Sequence, residues 1–595
     1  MPNIIVRGYS PHAFDTLARY GFHPVLARIY AARGIEEPAQ LEVELSRLIP
    51  FERLKNVSTM ATLLADAILA RKRLLIVADY DSDGATACAV GIRALRKFGA
   101  IVDYLVPNRF EHGYGLTPEI VRLAASTPLR PDILITVDNG IASVEGVEVA
   151  NRLGMEVFIT DHHLPGDELP AAAVIVNPNQ TGCEFPSKHL AGVGVMFYVV
   201  LALRAKLRAK GIYAPPQKEP NLASLLDLVA LGTVADVVKL DDNNRILVHQ
   251  GLQRIRQGRG CAGINALLQV ARCDFRRGSA YELGFMLGPR LNAAGRLDDM
   301  TLGIECLITD DEFRASQMAM QLDALNRQRR EIEAEMQDSA LVMLETALSA
   351  HHSQNSGQNF SRNDLNTHSL TLFDPAWHQG VIGILASRMK DKFHRPVVAF
   401  APGINGEIKG SGRSIPGFHL RDALDLVSKR YPGLLLKFGG HAAAAGLTMR
   451  TSNLEKFRNA FEQTAQALLT PADLTHVIET DGGLDESEMN LELARHLAEQ
   501  VWGQGFAPPT FNAHFQVEHQ RIVGEKHLKL KLRKLKTHTR ELDSTKPGCL
   551  YDAILFFQSG PLPEKIHAVY RLQVNEFNGN STLQFILDHW FECDA

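Results

Sequence analysis

The sequence has no long apolar run, no paired cysteines and little net charge, and each absence removes a class of protein. Its longest apolar stretch, residues 190–203, falls short of the roughly 20 residues that a membrane-spanning helix needs, so no membrane role is expected. The seven cysteines are odd in number and form no C-x-x-C pair, which argues against a disulfide framework and for reduced thiols in the cytoplasm. The opening residues, Met1-Pro2-Asn3-Ile4-Ile5-Val6-Arg7, lack the basic-then-apolar order of a secretory signal. With 63 Lys and Arg against 67 Asp and Glu, the formal net charge is -4. A nucleic-acid partner would therefore have to be held by local basic surface. What remains is an ordinary globular composition over 595 residues, long enough for several domains.

Apolar periodicity divides the chain into five regions. Residues 1–60 read as helical, with helical spacing at 24–30 ending at Gly34, and show no evident chemistry. Within 61–310, the runs 74–78, 101–106, 132–137, 156–160 and 174–176 read as strands, and 84–98 and 143–153 as crossover helices. Such alternation gives βαβ units and a parallel sheet covered on both faces; beyond residue 185 the pattern turns mostly helical. Residues 311–350 form one long helix whose mixed charge predicts a largely solvated spacer, with Arg327, Arg329 and Arg330 on an exposed face. Residues 351–369 have the polar composition of a linker. The fourth region, 351–470, is a second α/β unit, with strands at 370–373 and 396–400 around a helix at 383–393. It also carries the glycine-rich pieces Lys409-Gly410-Ser411-Gly412-Arg413 and Gly439-Gly440-His441, the latter leading into an alanine-rich stretch read as helix. From 471 to 595, short alternating strands predict a small β-barrel.

The chemistry concentrates where apolar runs end. Residues 74–78 lead into Asp79-Tyr80-Asp81-Ser82-Asp83-Gly84, 133–137 into Asp138-Asn139-Gly140, and 157–160 into Asp161-His162-His163. A fourth strand-like run, 228–235, ends at Asp236. In an open parallel sheet, ligands gather beyond the carboxyl ends of the strands, so these side chains are expected on one rim. Carboxylates mixed with imidazole suit Mn²⁺ or Mg²⁺. Two such ions about 4 Å apart require a bridging carboxylate with further ligands on either side, an arrangement suited to phosphoester hydrolysis. The alternative of an EF-hand loop fails because Val90 stands where the closing acidic ligand is needed. Helix capping accounts for one aspartate per motif, Asp83 among them, but not for three alternating carboxylates and a histidine pair.

Together with residues 107–116, 288–296 and 377–383, these motifs resemble the DHH phosphoesterase superfamily, and in order and spacing its RecJ branch of bacterial 5′→3′ single-strand-specific DNA exonucleases. The likeness runs from Val25 to the end of the chain. It implies an α/β fold, in which a DHH parallel-sheet domain and a DHHA1 domain are joined by a long helix and followed by a C-terminal OB-like β-barrel. It also implies two Mn²⁺ or Mg²⁺ ions held by Asp79, Asp81, Asp138, His162 and Asp236, with Asp138 as the bridge. His163 would contact the scissile phosphate and assist proton transfer, and Asp161 would orient its neighbours; Asp227 is read as structural. Where the family often has a histidine just before the first Asp-x-Asp, this chain has Val77 and Ala78, which opens that ion to water.

A terminal phosphate is best gripped by arginine forks and backbone N–H groups. The candidates are Arg109, Arg290, Ser411 and Arg413, which match positions that the resembled family uses near its 5′-phosphate pocket, with Gly439 and Gly440 permitting close approach and His441 donating to a phosphate oxygen. In the C-terminal region, alternation from Lys526 to Lys536 buries the leucines and lines Lys529, Lys531 and Arg533 along one face, a charge pattern that suits a phosphate backbone. Phe511, Phe515, Tyr551, Phe556, Phe557 and Tyr570 are candidate base-stacking residues, most of them expected in the core. The resemblance further implies a monomer acting on single-stranded DNA beside a single-strand-binding protein and a helicase. Two rival readings stand beside this one: a superfamily phosphoesterase for small substrates, and a DNA-binding scaffold without catalysis.

Overall fold

The computed structural model describes residues 3–108, 113, 115–214, 217–349, 367–524, 526–535, 548–558, 560–577 and 579–593. The chain divides into two compact units. The larger comprises Ile5–Gly295, Asp299–Asp323 and Glu479–Ala595; the smaller is built chiefly from Ala324–Ile478.

At the centre of the larger unit is a five-stranded sheet of β1 (Arg73–Ala78), β2 (Ile101–Leu105), β3 (Ile133–Val137), β4 (Glu156–Thr160) and β5 (Val174–Val176), in the order β2-β1-β3-β4-β5. All four pairings are parallel. Strand β3 is buried at every position, which is why it reads as a continuous apolar run without alternation. One face packs Leu75, Val77, Leu134, Val157 and Ile159 against Ile120, Val121, Val147 and Ala150 of the crossover helices. Register then fixes the rim. Ala78 pairs with Val137, Val137 with Thr160 and Thr160 with Val176, so Asp79, Asp138 and Asp161, each next in sequence, emerge side by side.

The fourth apolar run corrects the sequence reading, because Leu226–Ala235 is a helix and not a strand. It is buried at nearly every position, and a short run that is apolar all round cannot be assigned to strand or helix by periodicity alone. Asp236 nevertheless arrives at the C-terminal end of that helix.

The N-terminal helices Pro11–Arg19 and Pro24–Ala31 also belong to the larger unit. Tyr30 stacks on Trp502 and Phe506, with ring centroids 6.0 and 6.2 Å away, and Arg33 pairs with buried Asp481 at 2.5 Å.

In the smaller unit, β6 (Leu370–Phe373), β7 (Val397–Pro402), β8 (Glu407–Arg413), β9 (Lys437–Gly440) and β10 (Ala444–Arg450) form a mixed sheet ordered β9-β10-β8-β7-β6. Strand β10 corrects the expectation of an alanine-rich helix. Leu447 and Met449 are buried at alternate positions along it while it pairs antiparallel with β8. The long helix Glu312–Ser349 is present, with Arg327 and Arg330 exposed as expected, but one side of it is buried. Ala315, Ala319 and Leu322 are buried within the larger unit, and Met336, Ala340 and Leu344 join the core of the smaller one. Arg329 is held at 2.7 Å by Glu333, and both side chains are mostly buried.

The barrel closes as β11 (Phe511–Val523), β12 (His527–Lys534), β13 (Leu550–Phe556), β15 (Asn580–Glu592) and β14 (Lys565–Phe577), with β14 returning to β11. Phe511, Phe515, Tyr570 and Phe585 fill its interior and Tyr551 is also buried. Of the candidate stacking residues, only Phe556 and Phe557 are exposed.

Candidate metal centre

Each acidic motif is held by a different local device. Asp81 caps the helix Ser82–Lys97, accepting from the N–H groups of Asp83 and Gly84 at 2.9 and 3.0 Å. Asp83 caps a different helix: its two oxygens accept from Gly192 N and Val193 N, at 2.6 and 2.8 Å, at the start of Gly192–Ala209. The positive end of that helix thus faces the carboxylates. Gly192 is required there, since a Cβ would stand 2.5 Å from Asp138 Oδ1. Asp138 takes a left-handed backbone with φ of 63°, a conformation that costs a non-glycine residue about 1–3 kcal/mol. Next to it, Asn139 ties two strand ends together by donating to Val77 O and Val137 O. Ser82, inside the first motif, bonds through its N–H and hydroxyl to Asn292 Oδ1 at 2.8 and 2.9 Å. This gives the 288–296 motif a buttressing part.

His162 Nε2 lies 3.1 Å from Asp138 Oδ1, 3.6 Å from Asp236 Oδ2 and 3.9 Å from Asp83 Oδ2. Three overlapping groups, Asp79/Asp81/Asp138, Asp83/His162/Asp236 and Asp138/His162/His163, each have ligand atoms within 4.8 Å of one another. Asp138 is common to two of them. Asp138 Oδ1 is buried yet accepts no hydrogen bond among the described residues, the situation of an atom shaped to meet a cation. Oxygen and imidazole donors in this mixture fit Mn²⁺ or Mg²⁺.

Electrostatics supports the same reading. Burial first, and then Asp81, push the carboxyl of Asp83 up to about 7, against the opposing N–H bonds from Val193 and Gly192. Burial and the surrounding aspartates raise Asp138 and Asp236 well above the ordinary carboxylate range. Asp236 also ends a helix, where a negative charge opposes the helix dipole. Asp161 behaves differently. Burial would raise it, but His163 and the N–H of Ile141 outweigh burial and hold it low. Its Oδ1 accepts from His163 Nδ1 at 2.8 Å and from the backbone of His162 and His163. Burial pulls His163 down, yet the Asp161 bond and the charges of Asp161, Asp79 and Asp81 raise it to about 9. Asp227 is buried apart from this cluster and accepts from Cys261 N at 2.7 Å.

The five expected metal ligands therefore meet around one rim. Sequence reasoning missed Asp83 as a member, treating it only as a cap, and missed Gly192. The third carboxylate of the alternating motif was the available signal for Asp83. Nothing local in the sequence points to Gly192.

The expected phosphate-binding residues separate into distinct cases. In the smaller unit, Arg413 Nη1 donates to Ser411 Oγ and Gly412 O, at 3.2 and 2.8 Å, and no carboxylate pairs with it among the described residues. Its burial lowers its pKa. A Cβ on Gly383, at the start of the helix Ile382–Phe393, would lie 3.0 Å from Ser411 Oγ and 3.1 Å from Arg413 Nη2, so a helix N-terminus meets both side chains. Ser411 pairs across the sheet with Gly446, and Gly446 with Gly439. Gly440 closes the hairpin, and exposed His441 donates its N–H to Ala444 O at 2.8 Å. Arg290 is engaged internally, by Asp323 at 2.9 Å and by Met286 O at 2.6 Å. Arg109 lies outside the described residues. On the barrel, Leu528, Leu530 and Leu532 are buried as expected, but Lys531 pairs with Asp552 at 2.9 Å and Arg533 with Glu518 at 2.7 Å.

Comparison with known proteins follows this geometry. Three family patterns match: the DHH family, N-terminal domain, over residues 73–233; the DHHA1 domain over 366–467; and the RecJ OB domain over 480–589. The fold and rim are thus those of a DHH-type protein. The chain is 47% identical over 574 residues to the single-stranded-DNA-specific exonuclease RecJ of Escherichia coli K12, covering 95% of each protein. It is 32% identical to the Bacillus subtilis protein of the same name, over 95% of this chain and 67% of that one. A crystal structure of RecJ with Mn²⁺ from Thermus thermophilus superposes with a TM-score of 0.79 at 27% identity, covering 100% of this chain and 80% of that one. The chain belongs to the RecJ family.

Proposed function

We propose that this protein is a metal-dependent exonuclease that degrades single-stranded DNA from its 5′ end and releases 5′-mononucleotides. The observation that carries the proposal is the convergence of Asp79, Asp81, Asp138, His162 and Asp236 on one rim, with Asp138, whose Oδ1 is buried without a hydrogen bond among the described residues, common to two of the ligand groups. The RecJ relatives are named for single-stranded DNA, and crystal structures of RecJ from Thermus thermophilus hold Mn²⁺ or Mg²⁺.

These five residues would hold two divalent ions, with Asp83 beside them as a further oxygen donor. When bound, the ions would supply an activated water and positive charge for the phosphate oxygens. The protein's own groups act around them. Asp161 holds the His163 ring through Nδ1, which leaves Nε2 to donate to a phosphate oxygen and to move a proton. Asp161 thereby acts through its neighbour. Ser411, Arg413 and the helix N-terminus at Ile382 are proposed to grip the terminal phosphate. In this reading Arg290 braces the protein. The barrel contributes a site for the strand, and single-strand-binding protein and a helicase remain the expected partners in the cytoplasm. Among the described residues, no helix is long and apolar enough to cross a membrane.

The deciding experiment digests 5′-labelled and 3′-labelled DNA and RNA, single and double stranded, with Mn²⁺, Mg²⁺ or chelator. Release of the 5′ label first, from single-stranded DNA only and only with metal, is expected. Loss of the 3′ label first, or cleavage in chelator, would overturn the reading.

A further inference from the structure

We infer that Tyr281 and Phe285 form a base-stacking platform that holds the single-stranded substrate between the metal-bearing rim and the barrel. The two rings stack with centroids 5.0 Å apart and planes 28° from parallel, yet Phe285 is 69% and Tyr281 55% exposed. A pair of aromatic rings so displayed is unusual for a surface that the fold could have made polar, and it matches the way nucleases and single-strand binders present π-faces to bases.

The segment carrying the pair is held by buried side chains and hydrogen bonds. Glu282–Leu287 is a π-helix, a rare form found mostly as single turns and frequent at functional sites. Leu283 and Leu287 are fully buried on its inner side. Glu282 Oε2 accepts from the N–H and hydroxyl of Ser279 at 2.8 and 2.6 Å. Arg290, itself fixed by Asp323, donates to Met286 O. The platform is therefore ordered before substrate arrives, and binding does not have to supply that order.

Its location selects the occupant. Gly284 and Gly288 set the turn flush against Val234 and Ala235, a Cβ at either glycine standing 3.1–3.2 Å from them. Val234 and Ala235 are the last turn of the helix that delivers Asp236 to the rim. On the other side, Arg277 forms an ion pair with Glu576 of barrel strand β14. The rings thus lie between the helix end that delivers Asp236 and the barrel. A single strand running between the two offers unpaired bases whose π-faces such a platform would stack.

The inference rests on the metal-centre reading, and the test separates the two. Binding is measured by fluorescence anisotropy with a 5′-phosphorylated oligothymidylate, using the Asp138→Asn protein so that the strand stays intact. Single abasic residues are then placed at successive positions from the 5′ end. Stacking predicts one or two positions at which an abasic residue weakens binding about tenfold or more. The Tyr281→Ala/Phe285→Ala pair should bind the intact strand correspondingly more weakly and lose that position dependence, whereas Tyr281→Phe/Phe285→Tyr should restore both. A flat abasic profile, or an alanine pair that binds as tightly as the parent, overturns the platform, the latter leaving the rings to a protein contact. Because the abasic profile is read on unaltered rings, it decides the matter even if the alanine pair fails to fold. Cleavage persisting in Asp138→Asn would instead strike the metal assignment alone; the binding series is then run on the unsubstituted protein in chelator.

Discussion

The sheet rim and the barrel strand His527–Lys534 each concentrate charge of one sign, but they handle it in opposite ways. On the strand, Lys531 and Arg533 are matched by Asp552 and Glu518. On the rim, Asp79, Asp81, Asp83, Asp138 and Asp236 gather beside His162 and His163, and burial with mutual repulsion drives Asp83, Asp138 and Asp236 toward protonation. Carboxylates crowded until protonation is favoured suit a cation from outside; charge matched one for one by neighbours makes a well-solvated surface. The same distinction divides the arginines, since half-buried Arg413 has no carboxylate partner among the described residues while Arg290 has Asp323.

The largest effect should come from removing the shared carboxylate. Asp138→Asn keeps the shape and removes the charge, and turnover should fall by more than about 1000-fold while single-strand binding is retained. Metal content by mass spectrometry should fall with it. Normal metal content and normal cleavage would show that the crowding of acids at the rim has another cause.

Next in size is the linkage between metal and pH. In the metal-free protein the Asp83 carboxyl sits at about 7 against an ordinary 3.8, with Asp138 and Asp236 shifted in the same direction. The native state then holds these protons more tightly than the unfolded chain. Metal-free stability is therefore greatest below the ordinary carboxylate range and falls as pH rises from about 4 to about 7. Divalent ions replace the protons, so the difference in Tm between Mn²⁺-loaded and chelated protein should widen across that window. A constant difference between pH 5 and pH 7.5 would contradict the assignment.

A smaller loss, about 10- to 100-fold in activity, is expected from Gly192→Ala, whose methyl would displace Asp138 without touching any charge. If the variant is fully active with normal metal affinity, the close approach of this helix does not set the geometry of the rim.

Much of this centre was legible in the sequence because parallel strands announce themselves as apolar runs and place whatever follows them on one edge. Strands 156–160 and 174–176 stand as read, and register alone then lines up Asp79, Asp138 and Asp161. Asp236 reaches the rim although its run is a helix and not the strand that the apolar run predicts, since the end of a buried helix can reach the same edge. What stayed hidden depends on contacts distant in sequence. Asp83 reaches over to cap a helix more than a hundred residues away, and Arg290 is claimed by Asp323. The alanine-rich strand Ala444–Arg450 was read as helix because alanine favours helices, and pairing with β8 overrides that preference.

The two arginines sharpen the comparison further. Arg413→Gln should raise KM for a 5′-phosphorylated strand about 10- to 100-fold, the scale of a lost charge-assisted bond, and should erase any preference for the phosphate over a 5′-hydroxyl. Arg290→Gln should lower Tm instead, because it removes the part-buried ion pair to Asp323 and the bond to Met286 O, and should preserve the 5′-phosphate preference. Interchanged results would mean that an internal carboxylate partner is no guide to which cation meets the DNA.

The smallest effect tests the barrel. Lys529 stands beside Arg521 and Ile554 in register and has no carboxylate partner among the described residues, whereas Lys531 has Asp552. Each cation that neutralises a phosphate of a single strand contributes about 0.7 to the slope of log affinity against log salt. Lys529→Ala should therefore weaken binding a few-fold at low salt and reduce that slope by about 0.7. Lys531→Ala alone is a poor comparison, because it leaves Asp552 to repel the strand. The informative partner is Lys531→Ala/Asp552→Ala, which removes a self-neutralised pair and should leave both affinity and slope nearly unchanged. Equal slopes for Lys529→Ala and the paired variant would mean that the basic face of this strand does not track the DNA backbone, and that its lysines serve to keep a barrel edge soluble.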